Sequence, residues 1–364
     1  MEDKLRIAPL TLPESLAAPD AAEFLEVSQL VDTIKLAIWG NADRLSDARS
    51  RLVSWRDNDY DSLQIFLGRL EGKMVGLSWT QLPLKDNLHA AVVHAAVLPE
   101  YRRQGYGRAL LEVAEDYAQK QGRKVLIAGT EHSADFDPEG SDLLAPNSGT
   151  GAIPAGASGT RFALQLGYRL EQVERFSSLS LPVPAEKLDS LRNSAEFKAG
   201  PDYTLVFWQD HCPDELAESF AQANSRMSTD VPTAGLEIEP EVWSVSRLRQ
   251  HETQSVESGH RIDVCAALHL PSGEIAAYTY FDFNPRKPTL IHQEDTLVIS
   301  EHRGRRLGML IKAANLQRIQ QELPQLRKAI TWNAAENDHM LDINIELGFT
   351  PAGYDGEWQK SPTS

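Results

Sequence analysis

An internal repeat is the feature that most constrains how this 364-residue chain can fold. Each half contains, in the same order, a short strand-like segment, two helical stretches, a hairpin, a strand, a turn rich in arginine and glycine, a helix and a further strand. Arg102 in the first turn recurs as Arg303, 201 positions later (303 − 102), and the Leu-Gly-aromatic triplet at Leu166 recurs at Leu347, 181 positions later (347 − 166). The repeat therefore predicts an α/β fold built from two similar domains.

The predicted domain boundary follows the first copy of the triplet. Prolines in the segment Leu181–Leu188 stiffen the chain, which predicts domains of residues 1–182 and 183–364. Two domains also suit the length, because a single core rarely grows beyond roughly 250–300 residues. About twenty extra residues in the first half fall within residues 132–158, a stretch rich in Gly, Pro, Ser and Asp that predicts a surface loop or a lid.

Hydrophobic spacing and capping residues predict three helices in each half. In the first half they cover Ala21–Gly40, Ser46–Asp57 and Gly107–Gln121, and in the second half Pro213–Met227, Pro240–Ser255 and Met309–Gln321.

The composition excludes several classes of protein. Only 36 Lys and Arg accompany 52 Asp and Glu, a net charge of −16, which opposes binding to nucleic acid or to an anionic membrane. Cys212 and Cys265 are the only cysteines and form no metal-binding spacing, so neither a disulfide framework nor a metal site is expected. No secretion signal or long apolar run is present, which predicts a cytoplasmic protein.

The turn in the first half has the features of a phosphate site. A strand, HAAVVHAAV, leads through a turn containing Gly105 and Gly107 directly into an amphipathic helix. Glycine lets a ligand approach the backbone, and the first N–H groups of a helix have no partner within the helix, so they favour an anion. Arg102, Arg103 and Arg108 add positive charge. The alternative is a solvated turn with surface arginines, but the strand–turn–helix context favours the phosphate site.

This segment, VLPEYRRQGYGRALL, resembles the acetyl-CoA signature of the GNAT superfamily of N-acetyltransferases. The doubling resembles the tandem GNAT architecture of mycothiol synthase and related bacterial proteins. The resemblance covers essentially the whole chain and implies two tandem GNAT-like domains, each with a mixed, mostly antiparallel sheet flanked by helices. It also implies that the turn amides hold the pyrophosphate of acetyl-CoA and that the preceding strand pairs with pantetheine.

The second half offers VISEHRGRRLGMLIK, in which Arg306 replaces the first glycine and either points away or contacts phosphate. The coenzyme-binding residues that the resemblance implies are Val97, Arg102, Arg103, Gln104, Gly105, Tyr106, Gly107 and Arg108 in the first half and Val298, Arg303, Gly304, Arg305, Arg306, Leu307 and Gly308 in the second.

A second GNAT signature places an Asn eleven residues, and a Tyr four residues, before the Gly of the Leu-Gly-aromatic triplet. In the second half these places hold Asn337 and Asn344, which the resemblance implies as coenzyme-binding residues. In the first half they hold Gly156 and Ala163. The second half thus keeps more of this signature, and the first half keeps the better phosphate turn.

Acetyl transfer to an amine needs a base near the end of the strand that precedes the turn. Glu294 is the first choice and Asp295 the second, with an exposed structural carboxylate as the alternative. His94 has the matching place in the first half and is more typical of a core histidine. Asn344 cannot act as an acid, so Tyr354 is the candidate proton donor, although a packed strand tyrosine is equally compatible with the sequence.

The predicted function is N-acetylation of a small-molecule primary amine by acetyl-CoA, with the C-terminal domain catalytic. The alternatives are a non-catalytic acyl-CoA-binding sensor and a protein N-acetyltransferase. No nucleic-acid or membrane partner is expected, and the sequence leaves monomer and homodimer open.

Overall fold

The computed structural model describes residues 4–138 and 140–361, which form two compact units. Unit 1 comprises Met1–Val173, Ala234–Glu237 and Tyr354–Ser364. Unit 2 comprises Glu174–Thr233 and Ile238–Gly353. Neither unit is one continuous stretch of chain, so the boundary between residues 182 and 183 remains a prediction about the repeat in the sequence.

The helices and strands of the first half follow the predicted order, with additions after the fifth strand. They are β1 (Arg6–Pro9), α1 (Ala21–Trp39), α2 (Ala48–Ser54), β2 (Asp61–Leu70), β3 (Lys73–Pro83), β4 (Ala90–Val97), α3 (Tyr106–Lys120), β5 (Val125–Ser133), β6 (Leu143–Leu144), β7 (Ile153–Pro154), α4 (Ser158–Gln165) and β8 (Arg169–Ser180).

The second half repeats this order after an additional helix. Its elements are α5 (Ala185–Ala199), β9 (Tyr203–Gln209), α6 (Asp214–Ser225), α7 (Met227–Asp230), α8 (Val245–Ser258), β10 (Arg261–His269), β11 (Glu274–Phe283), β12 (Leu290–Val298), α9 (Leu307–Glu322), β13 (Lys328–Ala334), α10 (Asp338–Leu347) and β14 (Thr350–Lys360).

The sheet of each unit is mixed and mostly antiparallel. In unit 1 the strand order is β1-β2-β3-β4-β5-β14-β8, with β4 and β5 parallel. In unit 2 the order is β14-β8-β13-β12-β11-β10-β9, with β12 and β13 parallel. The predicted α/β class and sheet type are therefore confirmed.

Strands β8 and β14 are each divided between the units. Strand β8 contributes residues 169–173 to unit 1 and residues 174–180 to unit 2. Strand β14 contributes residues 350–353 to unit 2 and residues 354–360 to unit 1. The last described strand of the chain thus completes the sheet of unit 1.

The apolar faces of the helices and sheets form the cores. In unit 1, Phe24 on α1 and Leu77 on β3 belong to one buried cluster. In unit 2 the sheet carries two clusters. One contains Leu310 on α9, and the other contains Phe220 on α6 and Tyr278 on β11. These two clusters mark the opposite faces of the unit 2 sheet.

Two predicted helix starts were wrong, and capping explains both. Helix α2 begins after Asp47, whose side chain accepts bonds from the amides of Arg49 and Ser50, so Ser46 is not the cap. Helix α8 begins after Ser244, whose side chain accepts a bond from the Arg247 amide, rather than at Pro240.

Residues 132–158, predicted as a loop or a lid, contain the end of β5, the short β6–β7 pair and the first residue of α4. Ile153 on β7 is fully buried, so this segment contributes to the core of unit 1. No helix among residues 4–138 and 140–361 is long and apolar enough to span a lipid bilayer.

Candidate active site

Each unit joins a strand to a helix through a turn that uses two left-handed residues. In unit 1 these are Arg103 and Gly105, with φ of 64° and 88°. In unit 2 they are Gly304 and Arg306, with φ of 77° and 58°. Glycine and arginine thus exchange places between the units, and each turn keeps one non-glycine residue in a region that L-residues rarely adopt.

The leading arginine of each turn holds the backbone in place. Arg102 Nε donates to the Val97 carbonyl at 3.0 Å, and Arg303 Nε donates to the Val298 carbonyl at 3.2 Å. Both carbonyls lie at the end of the strand that precedes the turn. These two arginines therefore link each turn to the end of the preceding strand and help to fix the direction in which α3 and α9 begin.

The amides at the start of α3 and α9 are oriented for an anion. Ala109 N donates to the Gly105 carbonyl at 3.1 Å, and Leu310 N donates to the Arg306 carbonyl at 3.0 Å. The N–H groups of the preceding helical positions have no acceptor one turn earlier in the helix, and they lie at the positive end of its dipole. The remaining turn residues predicted to bind coenzyme lie at or beside these helix starts: Gln104, Tyr106, Gly107, Arg108, Arg305, Leu307 and Gly308.

The Arg306 side chain turns to a neighbouring helix. One terminal nitrogen of its guanidinium lies 2.8 Å from both carboxylate oxygens of Glu346 on α10. Of the two orientations left open by the sequence, the structure has the one in which this side chain pairs within the protein.

A β-bulge in unit 2 lies at the two carboxylates predicted as bases. In the β11–β12 pairing, Thr279 opposes Thr296 and Phe281 opposes Gln293, so Tyr280 alone faces both Glu294 and Asp295. Such a bulge bends the strand and leaves a backbone group outside the ladder.

The bulge borders a gap in the sheet. Strands β12 and β13 pair only over residues 290–292 and 328–330, and the pairing ends before Glu294 is reached. A ligand lying in this gap would meet the bulged backbone from the side.

Asp295 has the electrostatics of a base near neutrality. Burial, followed by the charges of Glu294 and Glu241, raises its pKa to about 7, although a hydrogen bond with Tyr280 opposes the rise. Tyr280 packs against the cluster that contains α6 and Tyr278, which places Asp295 towards that face of the sheet. Glu294 is one-third exposed, with its carboxylate 3.6 Å from His292 Nδ1.

Residues 32–136 match the family model of the GNAT acetyltransferase family. This match spans the first arginine–glycine turn, and the same strand–turn–helix recurs in unit 2. Residues 32–136 therefore form a GNAT acetyltransferase domain.

Solved structures show a similar fold for the whole chain. A tandem GNAT protein from the clavulanic acid biosynthesis pathway is 26% identical, with a TM-score of 0.74 over 99% of this chain and 100% of that one. A GCN5-related N-acetyltransferase from Sphaerobacter thermophilus is 13% identical, with a TM-score of 0.60 over 98% of this chain and 95% of that one.

A GCN5-related glucosamine N-acetyltransferase region of a fungal β-N-acetylglucosaminidase is 14% identical, with a TM-score of 0.63 over 99% of this chain and 38% of that one. No curated protein matches the sequence. The chain therefore has the tandem GNAT fold.

Unit 1 lacks the bulge at the matching position. Trp79 opposes His94 and Thr80 opposes Val93, with no register shift in the β3–β4 pairing. His94 stacks on Trp79 with ring centroids 5.3 Å apart, and burial together with the charge of Lys35 lowers its pKa to about 4. His94 is thus a neutral, packed histidine, as its apolar strand suggested.

An ion network lies beside His94 in unit 1. Glu131 pairs with Lys35 and accepts a hydrogen bond from Trp39 Nε1 at 2.7 Å. Arg44 is 3.4 Å from Glu131 and makes two hydrogen bonds of 2.8 Å with Asp355. Burial opposes ionisation of Glu131, but the charges of Lys35 and Arg44 and the hydrogen bonds outweigh it and lower its pKa to about 2.

Three further predicted residues have structural partners. Asn337 caps α10, since its side chain accepts a bond from the Met340 amide at 3.3 Å. Asn344 is fully buried and donates from Nδ2 to Asn333 Oδ1 at 2.6 Å. Tyr354 belongs to unit 1 and packs against Phe136 with ring centroids 5.3 Å apart, whereas Glu294 and Asp295 belong to unit 2.

The structure adds Tyr280, Glu241 and Glu131 to the candidate residues. The 201-residue offset aligns His94 with Asp295 (295 − 94), so the sequence already held a signal for a difference at this position. Tyr280 required knowledge of the bulge, because alternation along β11 does not show which residue of β12 it faces. Among the described residues, no group of three or more His, Cys, Asp or Glu is arranged to hold a metal ion.

Proposed function

We propose that the protein transfers an acetyl group from acetyl-CoA to the primary amine of a small molecule, and that unit 2 carries out the reaction. The observation that carries this proposal is the bulge, which brings Asp295 to a gap in the sheet next to a helix start suited to phosphate. A GNAT domain in the chain supports acyl transfer as the reaction class.

The coenzyme would lie along β12 with its pyrophosphate at the start of α9. The turn from Arg303 to Gly308 offers backbone N–H groups, and the Val298 end of β12 and the gap beyond residue 292 leave room for an extended chain. Gly308 permits close packing of α9 against α10, because a Cβ there would come within 2.9 Å of an Ile343 side-chain carbon. When bound, acetyl-CoA supplies the acetyl thioester.

Asp295 is the proposed general base. The sequence favoured Glu294, but Glu294 is the more exposed carboxylate of the bulge, whereas burial brings the pKa of Asp295 to about 7. A base with a pKa near the working pH combines adequate basicity with a substantial ionised fraction. Asp295 would take the proton from the attacking amine, directly or through water, while an unpaired backbone N–H of the bulge stabilises the oxyanion.

The charges on the Asp295 side of the sheet favour a cationic acceptor. The charges of Glu241 and Glu294 act on Asp295, and those of Asp282 and Glu294 act on His251 of α8. Negative potential raises the local concentration of ammonium groups, and Asp295 can then deprotonate one of them. A small cationic amine suits the net charge of −16. A basic protein N-terminus would suit this charge equally well.

Unit 1 is proposed to bind acetyl-CoA or to support the fold. Its turn retains Gly105 and Gly107, but its strand has no bulge and no carboxylate at the place of Asp295. A cytoplasmic location is proposed because Cys212 and Cys265 are free, buried thiols, which suits a reducing compartment.

The second candidate is a non-catalytic acyl-CoA sensor. Asn344 favours it, because this buried amide occupies the place where the second GNAT signature has a proton-donating Tyr. A sensor would bind acetyl-CoA without turnover.

Release of free thiol from acetyl-CoA in the presence of a panel of mono-, di- and polyamines tests the proposal. We expect acceptor-dependent thiol release, with dications preferred, and an N-acetylated product by mass spectrometry. Calorimetric binding of acetyl-CoA without thiol release on the whole panel would favour the sensor. Turnover of a peptide N-terminus but of no small amine would identify a protein acetyltransferase.

A further inference from the structure

A buried lysine lies on the inner face of α9. Lys312 is 2% exposed, and the residues on either side of it in sequence, Ile311 and Ala313, are also buried. The 201-residue offset of the repeat places Leu111 at the matching position of unit 1 (312 − 201), also buried. Unit 2 thus carries a titratable side chain at a position where unit 1 has the hydrocarbon side chain of a leucine.

Lys312 has only weak partners. Its Nζ is 3.5 Å from Thr296 Oγ1 and 5.9 Å from the centre of the Phe349 ring. Within the described residues, no carboxylate forms an ion pair with it. Burial of a charge without a counter-ion is unfavourable, and this burial lowers the pKa of Lys312 to about 7. Such an amine gives up a proton at neutral pH, unlike an ordinary lysine.

The position of Nζ relates it to the reacting centre. Thr296 is the first residue of β12 after the bulge at Glu294 and Asp295, and it is paired again with Thr279. Asn344, on the neighbouring α10, directs Nδ2 to Asn333 of β13, while its Oδ1 has no hydrogen-bond partner. Strands β12 and β13 border the gap, so Lys312 and Asn344 supply polar atoms close to its two sides.

Lys312 and Asp295 approach the sheet from opposite faces. Helix α9 contributes to the cluster around Leu310, whereas Asp295 bonds with Tyr280, which packs on the cluster with Tyr278. Acyl transfer to an amine needs a base for the amine proton and benefits from an acid for the leaving thiol, and these two side chains offer such groups on opposite faces of the sheet.

We propose that Lys312 is the general acid of unit 2 and donates a proton from Nζ to the leaving sulfur of the acyl-CoA thioester. This inference rests on the proposed function. The amine nitrogen attacks the thioester carbonyl carbon and gives its proton to Asp295, and the C–N bond forms. The C–S bond then breaks with its electron pair on sulfur, which takes the Nζ proton. The products are an amide and a free thiol, with Lys312 neutral until solvent returns its proton.

The other candidate acids are less well placed. Asn344 has no acidic proton to give. Tyr354 belongs to unit 1 and packs against Phe136. Tyr280 is bonded to Asp295, and burial raises its pKa well above the ordinary value, so it holds its proton too tightly.

Elements packed against α9 carry other ionisable groups, none of which is among the causes that shift the pKa of Lys312. They are Asp189 and Arg192 on α5, Asp263 on β10, Asp282 on β11, His292, Glu294 and Asp295 on β12, and Glu346 on α10. Burial is the cause that sets the pKa of Lys312, so substitution of Lys312 should remove one limb of a pH profile without moving the other.

The test compares pH profiles of kcat for the wild type, Lys312→Met and Lys312→Arg on the full chain with acetyl-CoA and the best amine. We expect a bell-shaped wild-type profile whose alkaline limb disappears in both variants. A loss of roughly 100-fold in kcat at pH 7 is expected for Lys312→Met, the size typical of a lost general acid. Arginine keeps the charge but not the titration, so Lys312→Arg should not restore the rate. Leu111→Met is the matched control in unit 1 and should leave kcat unchanged.

Binding measurements separate the outcomes. Lys312→Met should bind acetyl-CoA within about threefold of wild type and should unfold at the same or a higher temperature, since an unpaired buried amine is removed. An unchanged kcat and pH profile in Lys312→Met, with active wild type, would overturn the assignment of Lys312 alone. Absence of turnover in wild type with every amine would instead overturn the proposed function.

Discussion

Units 1 and 2 have nearly the same strand–turn–helix but differ in the middle of the strand. Both turns use two left-handed residues and an arginine bonded to the strand end. In unit 2 the strand then bulges at Glu294 and Asp295, whereas the unit 1 strand keeps its register through His94. Phosphate binding through backbone amides survives changes of side chain, while a catalytic base depends on one particular residue and on its pairing.

The family model matches residues 32–136, which belong to unit 1, although the proposed chemistry lies in unit 2. The sequence signature follows the glycines of the turn, and unit 1 has them in the usual places. Under the proposed function, the unit that matches the family model is therefore not the unit that carries the proposed base.

The strongest test of this difference between the units is to substitute, one at a time, the two residues that occupy matching positions on β12 and β4. Asp295→Asn should reduce kcat by about 10²- to 10⁴-fold, because the base is lost while the bulge is preserved. Its counterpart His94→Gln should leave kcat within about twofold of wild type. Steady-state thiol release at pH 7.5 measures both. Equal losses in the two variants would mean that the units share the chemistry.

Acid should weaken the two units differently. The lowered pKa of Glu131 gives a contribution to the stability of unit 1 that is full above about pH 4.5 and is lost as pH falls to about 2. We expect Glu131→Gln to lower the free energy of unfolding by about 2 kcal/mol at pH 7 and by much less at pH 2.5.

For Asp295 the sign is reversed. Its folded pKa of about 7 lies above its ordinary value of 3.8, so its proton-linked contribution is present at low pH and is lost as pH rises towards 7. Hydrogen exchange at pH 4 and pH 7, resolved by peptide, reports each unit separately. Loss of protection in unit 2 before unit 1 on acidification would contradict this assignment of signs.

Coenzyme stoichiometry sharpens the comparison further. Gly107→Asp places a carboxylate among the amides of the first turn of α3, and a Cβ at this position has room because its nearest neighbour, Phe162, would be 3.6 Å away. A carboxylate at a helix start stabilises the helix, so the expected result is weaker binding without unfolding. Calorimetry should show roughly a tenfold loss of acetyl-CoA affinity at one of two sites, with kcat unchanged. A fall in kcat in this variant would indicate that unit 1 takes part in turnover.

The smallest effect is expected at the left-handed arginines. Arg306→Gly removes a strained conformation worth about 1 kcal/mol and also an exposed ion pair with Glu346 worth up to about 1 kcal/mol, so the two changes nearly cancel. Arg103→Gly, the matched variant in unit 1, removes the left-handed backbone strain and leaves the ion pair between Arg306 and Glu346 intact. The midpoint temperature of thermal unfolding should rise more for Arg103→Gly than for Arg306→Gly. The reverse order would contradict this account.

Much of the architecture was predictable because the repeat constrained it. The hairpins, the turns and helices α1, α3, α6 and α9 lie close to the predicted places, since each has a clear terminus in the sequence. Helix α5 was not predicted, because the prolines before it suggested a linker and its sequence is strongly polar. Helix α10 was not predicted either, because Asn337 resembles a coenzyme ligand in the sequence, whereas its side chain caps this helix.

The candidate site was predictable only in part. Spacing in the sequence identified Glu294 and Asp295 as candidate bases. Which of the two is the better candidate depends on burial, and no local pattern reveals burial. Tyr354 was assigned to the second half by sequence proximity, whereas it lies in the part of β14 that belongs to unit 1. Lys312 reads in the sequence as one charged position on a helix, because its near-complete burial arises from packing between α9 and the sheet.

The division of β14 has a consequence for how the chain folds during synthesis. Residues 354–360 fill the place between β5 and β8 in the sheet of unit 1, yet they are translated after every strand of unit 2. Contacts between residues so far apart in sequence form slowly, and a nascent unit 1 must hold an open strand position while unit 2 is made. The domain that begins first on the ribosome is therefore the one whose sheet is completed last.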